Sequence, residues 1–266
     1  MKYIFNALDA IKKEMSGKEL YLFLDYDGTL TPIVDHPQHA ALPAPTKKLL
    51  KEFIKQPHCK VSIVTGRALS DIRRVIGMQH ITYIGNHGFE IDDPKVSFKG
   101  FDLTHTREIL EYLKWQINKE LVFFKGAFIE DKGICLCIHY RQLQEGQTEP
   151  FKALLHEIVV PFYLKNEIYI EIDKKVFEIK PSFEWDKGKA VLWLLNAYKK
   201  HVKGDILPVY IGDSMTDEYA FKALTSRGIT VRVGRSDKSL SQYYIKDQNE
   251  TNTLLSLLLK STAKKG

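Results

Sequence analysis

Leu20 to Leu24 is a run of five apolar residues that ends on Asp25-Tyr26-Asp27-Gly28, and no other stretch constrains the fold of this chain as much. The run is too short for a helix and shows no polar alternation. It therefore reads as a strand buried on both faces, as in a parallel sheet covered by helices. Two carboxylates two residues apart, just past such a strand, are costly to hold beside an apolar core unless something neutralises them. A hard divalent cation with oxygen ligands would do so, and in open α/β sheets ligands bind beyond the carboxyl ends of the strands. Any acidic turn after a strand also shows a bare Asp-x-Asp, so the reading depends on the rest of the chain.

Beyond Gly28 the chain carries a series of short apolar runs with polar or glycine-containing ends. Lys60 to Val64 leads into Thr65-Gly66-Arg67, where a hydroxyl and backbone N–H groups at a strand end can hold a phosphate oxygen. Ile81 to Ile84 leads into Gly85-Asn86-His87-Gly88, and Ile206 to Ile211 into Gly212-Asp213-Ser214-Met215-Thr216-Asp217-Glu218. Ile229 to Val233 is the last core strand of this kind. Helical faces lie between them. Thr46 reads as an N-cap after Pro45, with Leu49, Leu50, Phe53 and Ile54 facing the core. A short helix runs from Ser70 to a stop at Gly77, and Trp185-Asp186-Lys187-Gly188-Lys189 precedes an apolar helix over 190–198. Met1 to Ser16 reads as a docking helix through Tyr3, Ile4, Ala7, Leu8 and Ile11. A leucine-rich helix over 254–259 covers the core at the other end. His36 and His39 read as residues of a solvated loop. Asp217 and Glu218 also suit the first turn of a helix as caps.

From about Asp92 the rhythm changes. A helix (104–118), two strand-like runs (123–130 and 133–140) joined at Asp131-Lys132-Gly133, a second helix (149–160) and two more strands (168–172 and 176–179) make an α+β module with an antiparallel sheet. The expected fold class is thus α/β, a Rossmann-like parallel-sheet core with an inserted α+β cap domain. Residues 1–91 and 181–266 form the core and 92–180 the insertion.

Composition excludes several classes. The chain has 266 residues, 44% hydrophobic and 27% charged, ordinary for a globular protein. It has no apolar run of about 18 residues, so no transmembrane helix and no membrane partner are expected. The net charge of +6 is scattered, with a dense basic run only at Lys264-Lys265. That excludes a nucleic-acid face and fits a small anionic substrate. The three cysteines, Cys59, Cys135 and Cys137, make no disulfide framework and have no partner pair at zinc-site spacing. A reducing cytoplasm fits best.

In this order, Asp25-Tyr26-Asp27-Gly28-Thr29-Leu30-Thr31, Thr65-Gly66-Arg67, Lys187-Gly188 and Gly212-Asp213-x-x-x-Asp217 resemble the four motifs of the haloacid dehalogenase superfamily of phosphohydrolases. The resemblance narrows to the trehalose-6-phosphate phosphatase family through Gly85-Asn86-His87-Gly88 and Thr216-Asp217-Glu218. Glu130-x-Lys132, His139-Tyr140-Arg141 and Lys174-x-x-x-Glu178 in the insertion add to it. It implies that Asp25 attacks phosphorus and that Asp27 is the general acid, then the base. It implies that Thr65 and Lys187 hold the phosphoryl group, with Lys189 and Lys180 as competing lysines. A Mg²⁺ cofactor would be held by Asp25, by Asp27 through its backbone carbonyl, and by Asp213, with Asp217 binding directly or through water. Arg67, Asn86, His87, Glu130, Lys132, Arg141, Lys174 and Glu178 would bind substrate. Trehalose 6-phosphate is the implied substrate. Sucrose phosphate, a mannosyl phosphoglycerate, a phosphomutase reaction and a non-catalytic sugar-phosphate sensor are the alternatives. Association with a trehalose-phosphate synthase is a partner the resemblance allows.

Overall fold

The computed structural model describes residues 1–34, 40–173 and 175–262; His36, His39 and Lys174 lie outside the described residues. The chain divides into two compact units, Met1–Gly100 with Trp185–Gly266, and Phe101–Glu184. The larger unit begins with β1 (Lys2–Tyr3), α1 (Leu8–Met15), β2 (Glu19–Leu24), α2 (Ala44–Lys55), β3 (Cys59–Val64), α3 (Leu69–Ile76), β4 (Thr82–Gly85) and β5 (Glu90–Asp92). The smaller unit carries α4 (Thr104–Glu120), β6 (Phe128–Asp131), β7 (Leu136–His139), α5 (Thr148–Leu164), β8 (Ile168–Asp173) and β9 (Val176–Pro181). The larger unit resumes with α6 (Lys187–Lys199), β10 (Ile206–Gly212), α7 (Met215–Ala223), β11 (Ile229–Val233), β12 (Tyr243–Ile245) and α8 (Glu250–Thr262).

Among the described residues, the larger unit has one eight-stranded sheet in the order β1-β12-β11-β10-β2-β3-β4-β5. Its pairs are parallel except the last, β4 with β5. The side-chain period of two explains why β2 is apolar throughout. Leu20, Leu22 and Leu24 enter a core with α1, α2, α3 and α8, while Tyr21 and Phe23 enter a second core with α6 and α7. The central strands β10, β2 and β3 are buried on both faces, so their carboxyl ends form a rigid edge from which the polar loops project.

The sheet alters three local expectations. The first residues are an edge strand rather than the start of a helix. Lys2 N–H donates to the Gln242 carbonyl at 3.0 Å and the Tyr3 hydroxyl to Glu250 at 2.6 Å, which ties β1 to β12 and α8. The helix α2 starts after Pro43, so Pro45 sits in its first turn, where a missing N–H costs nothing. Thr46 is consequently not the N-cap; it is buried and its hydroxyl donates to Asn252 at 2.9 Å. The unit boundaries fall at Gly100/Phe101 and Glu184/Trp185 rather than at 92 and 181. β5 pairs with β4, and Asp93 accepts from the Thr82 and Tyr198 hydroxyls, so this segment stays with the large sheet.

In the smaller unit, four strands in the order β6-β7-β9-β8 pair antiparallel throughout. Leu136, Ile138, Phe177 and Ile179 pack against Ile109, Leu113 and Ile117 of α4 and Phe151, Leu155 and Val159 of α5. The first strand starts only at Phe128. Leu121–Phe123 is a 3-10 turn, and Gly126, at φ +98°, lies so close to the Gln142 carbonyl that a Cβ would collide with it. Glu130, Cys137, Glu178 and Glu171 form one row across the sheet, on the face opposite the helices. Cys59, Cys135 and Cys137 are buried, and none of them is in a disulfide. No helix among the described residues is long and apolar enough to cross a membrane.

Candidate active site

β2 and β10 are neighbours with Leu24 opposite Ile211, which brings the segments after them side by side. Asp25 N–H extends that ladder by donating to the Ile211 carbonyl at 2.9 Å. The chain then turns back. The Tyr26 carbonyl accepts from Leu30 N–H at 2.9 Å and Thr31 N–H at 3.0 Å, and Gly28 takes φ +85°. A Cβ on Gly28 would run into the Asp213 carboxylate, so glycine is required twice over, for its conformation and for the close approach.

Lys187 is the first residue of α6, placed there by the N-cap Asp186, whose carboxylate accepts from Lys189 N–H at 2.8 Å. Its side chain is 2% exposed, and its ammonium donates to Asp25 Oδ1 and Asp217 Oδ1 at 2.8 Å each. Burial alone would lower its pKa, but Asp217 and Asp25 outweigh burial and hold it above the ordinary lysine value. The competing lysines are engaged elsewhere in the fold: Lys180 pairs with Glu171 and Glu178 in the smaller unit, and Lys189 is exposed on α6.

Asp217 is fully buried and its two oxygens collect five donors. Oδ1 accepts from Lys187 and from the Tyr210 hydroxyl at 2.7 Å; Oδ2 accepts from Asp213 N–H at 3.0 Å, Ser214 N–H at 2.8 Å and Ser214 Oγ at 2.7 Å. Burial would raise its pKa, but Lys187 and Ser214 hold it below the ordinary carboxylate value. Asp25 goes the other way. Burial, and then the facing Asp217, push it well above that value, with Lys187 offsetting only part.

Asp25, Asp213 and Asp217 each offer a carboxylate oxygen within 4.8 Å of the others. Three carboxylates and one ammonium leave surplus negative charge in a largely buried site. The donors are hard oxygens, the set that suits Mg²⁺, Mn²⁺ or Ca²⁺. The residues present therefore fit a divalent cation. The Asp27 carboxylate lies outside this cluster, because the Arg67 guanidinium binds both of its oxygens at 2.7 Å.

The remaining expected residues separate into two groups. Thr65 is buried at the end of β3, and its Oγ1 accepts from Arg67 N–H at 3.2 Å. Asn86 and His87 both take positive φ in the turn after β4. Asn86 N–H donates to the Arg67 carbonyl at 2.7 Å, its amide to Glu90 at 2.6 Å, and His87 N–H to the Thr65 carbonyl at 3.0 Å. The structure thus brings Asp25, Asp27, Thr65, Arg67, Asn86, His87, Lys187, Asp213 and Asp217 to one edge of the large sheet. Glu130, Lys132 and Glu178 lie together in the smaller unit. Glu130 meets His139 Nε2 at 2.9 Å, and Glu178 meets Lys132 and Lys180 at 3.6 Å each and the Cys137 thiol at 3.3 Å. Arg141 is exposed in the turn after β7, and Lys174 lies outside the described residues.

Sequence reasoning missed Tyr210, Ser214, Asp71 and Glu90. Tyr210 carried a signal, a hydroxyl inside an otherwise apolar buried strand, which needs a partner there.

Solved structures share this architecture. A haloacid dehalogenase-like hydrolase from B. subtilis superposes over 90% of this chain and 99% of its own at a TM-score of 0.58 and 14% identity. The C-terminal domain of C. albicans trehalose-6-phosphate phosphatase superposes over 97% and 98% at 0.78 and 23%. The fold is therefore that of a haloacid dehalogenase-like hydrolase, a parallel-sheet core with an inserted α+β cap domain. The sequence comparisons narrow it. The trehalose-phosphatase family profile matches residues 23–251. Trehalose-phosphate phosphatase B of Arabidopsis thaliana is 30% identical over 96% of this chain and 70% of its own length, and probable trehalose-phosphate phosphatase J of the same plant is 32% identical over 96% and 71%. This chain belongs to the trehalose-phosphatase family of phosphoric monoester hydrolases.

Proposed function

We propose that this chain hydrolyses trehalose 6-phosphate to trehalose and phosphate, with Asp25 as nucleophile and Asp27 as acid and base. The observation that carries this reading is the Lys187 ammonium, buried and bonded at 2.8 Å to both Asp25 and Asp217, because it fixes one carboxylate beside a cation at the carboxyl-end edge of a parallel sheet. Asp25 Oδ1 is held by Lys187, which orients the carboxylate for in-line attack. Attack on phosphorus breaks the ester P–O bond and forms an aspartyl phosphate, so one difficult displacement becomes two easier ones. Asp27 protonates the departing sugar oxygen, then removes a proton from the water that cleaves the aspartyl phosphate. The Thr65 hydroxyl, which accepts from Arg67 N–H, keeps its own proton to donate to a phosphoryl oxygen. Asp25 and Asp213 would hold a Mg²⁺ beside Asp217, and the bound cation would supply positive charge between carboxylate and phosphate. Selectivity for the sugar resides in the Glu130, Lys132 and Glu178 face of the smaller unit, where opposite charges suit a hydroxyl-rich ligand.

The test is phosphate release from trehalose 6-phosphate and about a dozen other phosphosugars, with and without chelator. Trehalose 6-phosphate should be preferred, chelator should abolish turnover, Mg²⁺ should restore it, and Asp25→Asn should be inactive though folded. Near-normal release by Asp25→Asn refutes the mechanism; preference for another phosphosugar refutes the substrate alone.

A further inference from the structure

We infer that Arg67 is a positioning residue that acts through Asp27 rather than a residue that touches substrate. The inference rests on the proposed role of Asp27 as acid and base. Arg67 is 4% exposed, whereas the Asp27 side chain is 40% exposed. The guanidinium therefore lies beneath the carboxylate, and a substrate that reaches Asp27 meets the carboxylate first. Arg67 Nε donates to Asp27 Oδ2 and its Nη2 to Asp27 Oδ1, at 2.7 Å each, the two-pronged geometry that fixes both position and plane of a carboxylate.

The remaining arm makes the fork rigid. Nη1 donates to Asp71 at 2.9 Å, and Asp71, in the first turn of α3, is itself held at 2.5 Å by Arg74 from the last turn of that helix. The Tyr26 ring centroid lies 5.1 Å from the guanidinium carbon. The backbone is pinned as well. Arg67 N–H donates to Thr65 Oγ1, its carbonyl accepts from Asn86 N–H, and a Cβ on Gly85 would press on that carbonyl at 3.1 Å. Arg67 is thus fixed by the segments after β3 and β4 and by α3, and it transmits that fixity to the turn after β2. Asp27 sits in a loop with one glycine at positive φ, and without the fork its carboxylate would sample several rotamers.

The acid–base group needs this restraint because it acts on two different oxygens in succession, the leaving sugar oxygen and then water. A carboxyl group held from below on both oxygens keeps its outward side aimed at one place through both steps, first for the proton it gives to the leaving oxygen and then for the lone pair that takes one from water. The same restraint explains why a buried, fully charged arginine is tolerated here. Burial disfavours its charge, but the bonds to Asp27 and Asp71 outweigh that and hold its pKa above the ordinary value.

A double-mutant cycle tests the inference. kcat/KM is measured on trehalose 6-phosphate and on 4-nitrophenyl phosphate for wild type, Asp27→Asn, Arg67→Met and the double variant. Asp27→Asn should lose at least roughly 10²-fold on the sugar phosphate. Arg67→Met should lose about 10- to 100-fold on it, and less on the aryl ester, whose leaving group needs little protonation. The double variant should be no worse than Asp27→Asn alone, because Arg67 has nothing left to position. Losses that multiply in the double variant mean that Arg67 touches substrate, and overturn the inference. Wild-type activity in Arg67→Met beside an impaired Asp27→Asn overturns the inference alone. An unimpaired Asp27→Asn overturns the proposed role of Asp27 and the inference with it. If Arg67→Met melts below the assay temperature, Arg67→Lys replaces it in the cycle, since a point charge cannot hold both oxygens in one plane.

Discussion

Replacing Lys187 with Met removes the cation from the centre of the acidic cluster while keeping most of the side-chain volume. The side chain is 2% exposed and its two partners 6% and 0%, so solvent provides no screening and little rehydration. Two ammonium–carboxylate bonds at 2.8 Å are lost. Each is worth about 1.5–3 kcal/mol, and removing one partner from a buried ion pair costs about 3–5 kcal/mol, so the expected loss is about 4 kcal/mol. For a chain of this size that corresponds to a fall in Tm of roughly 8–16 °C. The comparison is made in chelator, where a bound cation cannot compensate, by urea unfolding followed through Trp185 and Trp193. Both tryptophans lie in the larger unit, while Trp115 lies in the smaller one and reports it separately. Adding Asp217→Asn to Lys187→Met should restore part of the loss, because it removes one of the stranded charges. A loss below about 1 kcal/mol, or a double variant less stable than Lys187→Met, refutes the account of Lys187 as the charge that makes this cluster tolerable.

The Gly28→Ala variant should lose at least about tenfold in activity and measurably in stability, since its Cβ would collide with the Asp213 carboxylate and its φ of +85° disfavours any side chain; kinetics and a thermal melt check this. Asp217 has a lowered folded pKa, so its contribution to stability is present above the unfolded value of about 3.9 and is lost as pH falls through the folded value. Lys187 has a raised one, so its contribution is present below about 10.4 and is lost only as pH rises beyond that. The stability gap between wild type and Asp217→Asn should therefore hold from about pH 5 to pH 10 and shrink in acid, as read from urea midpoints. Glu178→Ala should cut kcat/KM on trehalose 6-phosphate roughly 10- to 100-fold while sparing 4-nitrophenyl phosphate; equal losses on both would place Glu178 in the fold rather than in sugar recognition.

The core of this fold was legible because its strands are buried on both faces. Leu20 to Leu24, Lys60 to Val64 and Ile206 to Ile211 announce parallel strands by composition alone, and β2, β3 and β10 lie at those positions. The polar residues at their ends were legible for the same reason, since a carboxylate or hydroxyl there must be doing something to justify its place. What the sequence could not carry is the choice among partners that only three dimensions supply. Arg67 lies forty residues from Asp27 in the chain, and nothing in Thr-Gly-Arg says whether its guanidinium turns to substrate or to a neighbouring carboxylate. The false strand start at Phe123 has a local cause. Phe123 and Phe124 have strand propensity, but the close approach of Gly126 to the Gln142 backbone decides the path. The insertion boundary was misplaced because β5 is only three residues long, too short to show a period.

The spacing Gly212-Asp213-x-x-x-Asp217 is as much a helix-start spacing as a metal-site spacing. Ser214 is the N-cap of α7 and Asp217 its third residue, the position from which an acidic side chain reaches back to the N-cap N–H. Asp217 takes that bond at 2.8 Å and the Asp213 N–H at 3.0 Å, so the backbone of Asp213 is fixed by the same carboxylate that holds Lys187. Gly212 is required because a Cβ there would run into Asp217. The charges are set by this placement. Asp217, with all its bonds made inside the protein, anchors Lys187; Lys187 orients Asp25; Asp213 is carried on a backbone that cannot shift without breaking the cap. A change at Asp217 therefore acts on every other group in the cluster, and its cost must exceed that of losing one ligand. Asp217→Asn, which keeps the shape but weakens the bonds to Lys187 and to the cap, should depress metal affinity, Lys187 placement and helix stability together, whereas Asp213→Asn should depress metal affinity alone. Calorimetric titration with Mg²⁺ beside a melt in chelator separates the two: an Asp217→Asn variant that loses metal affinity with its chelator melt unchanged would make Asp217 a simple ligand rather than the anchor of the cluster.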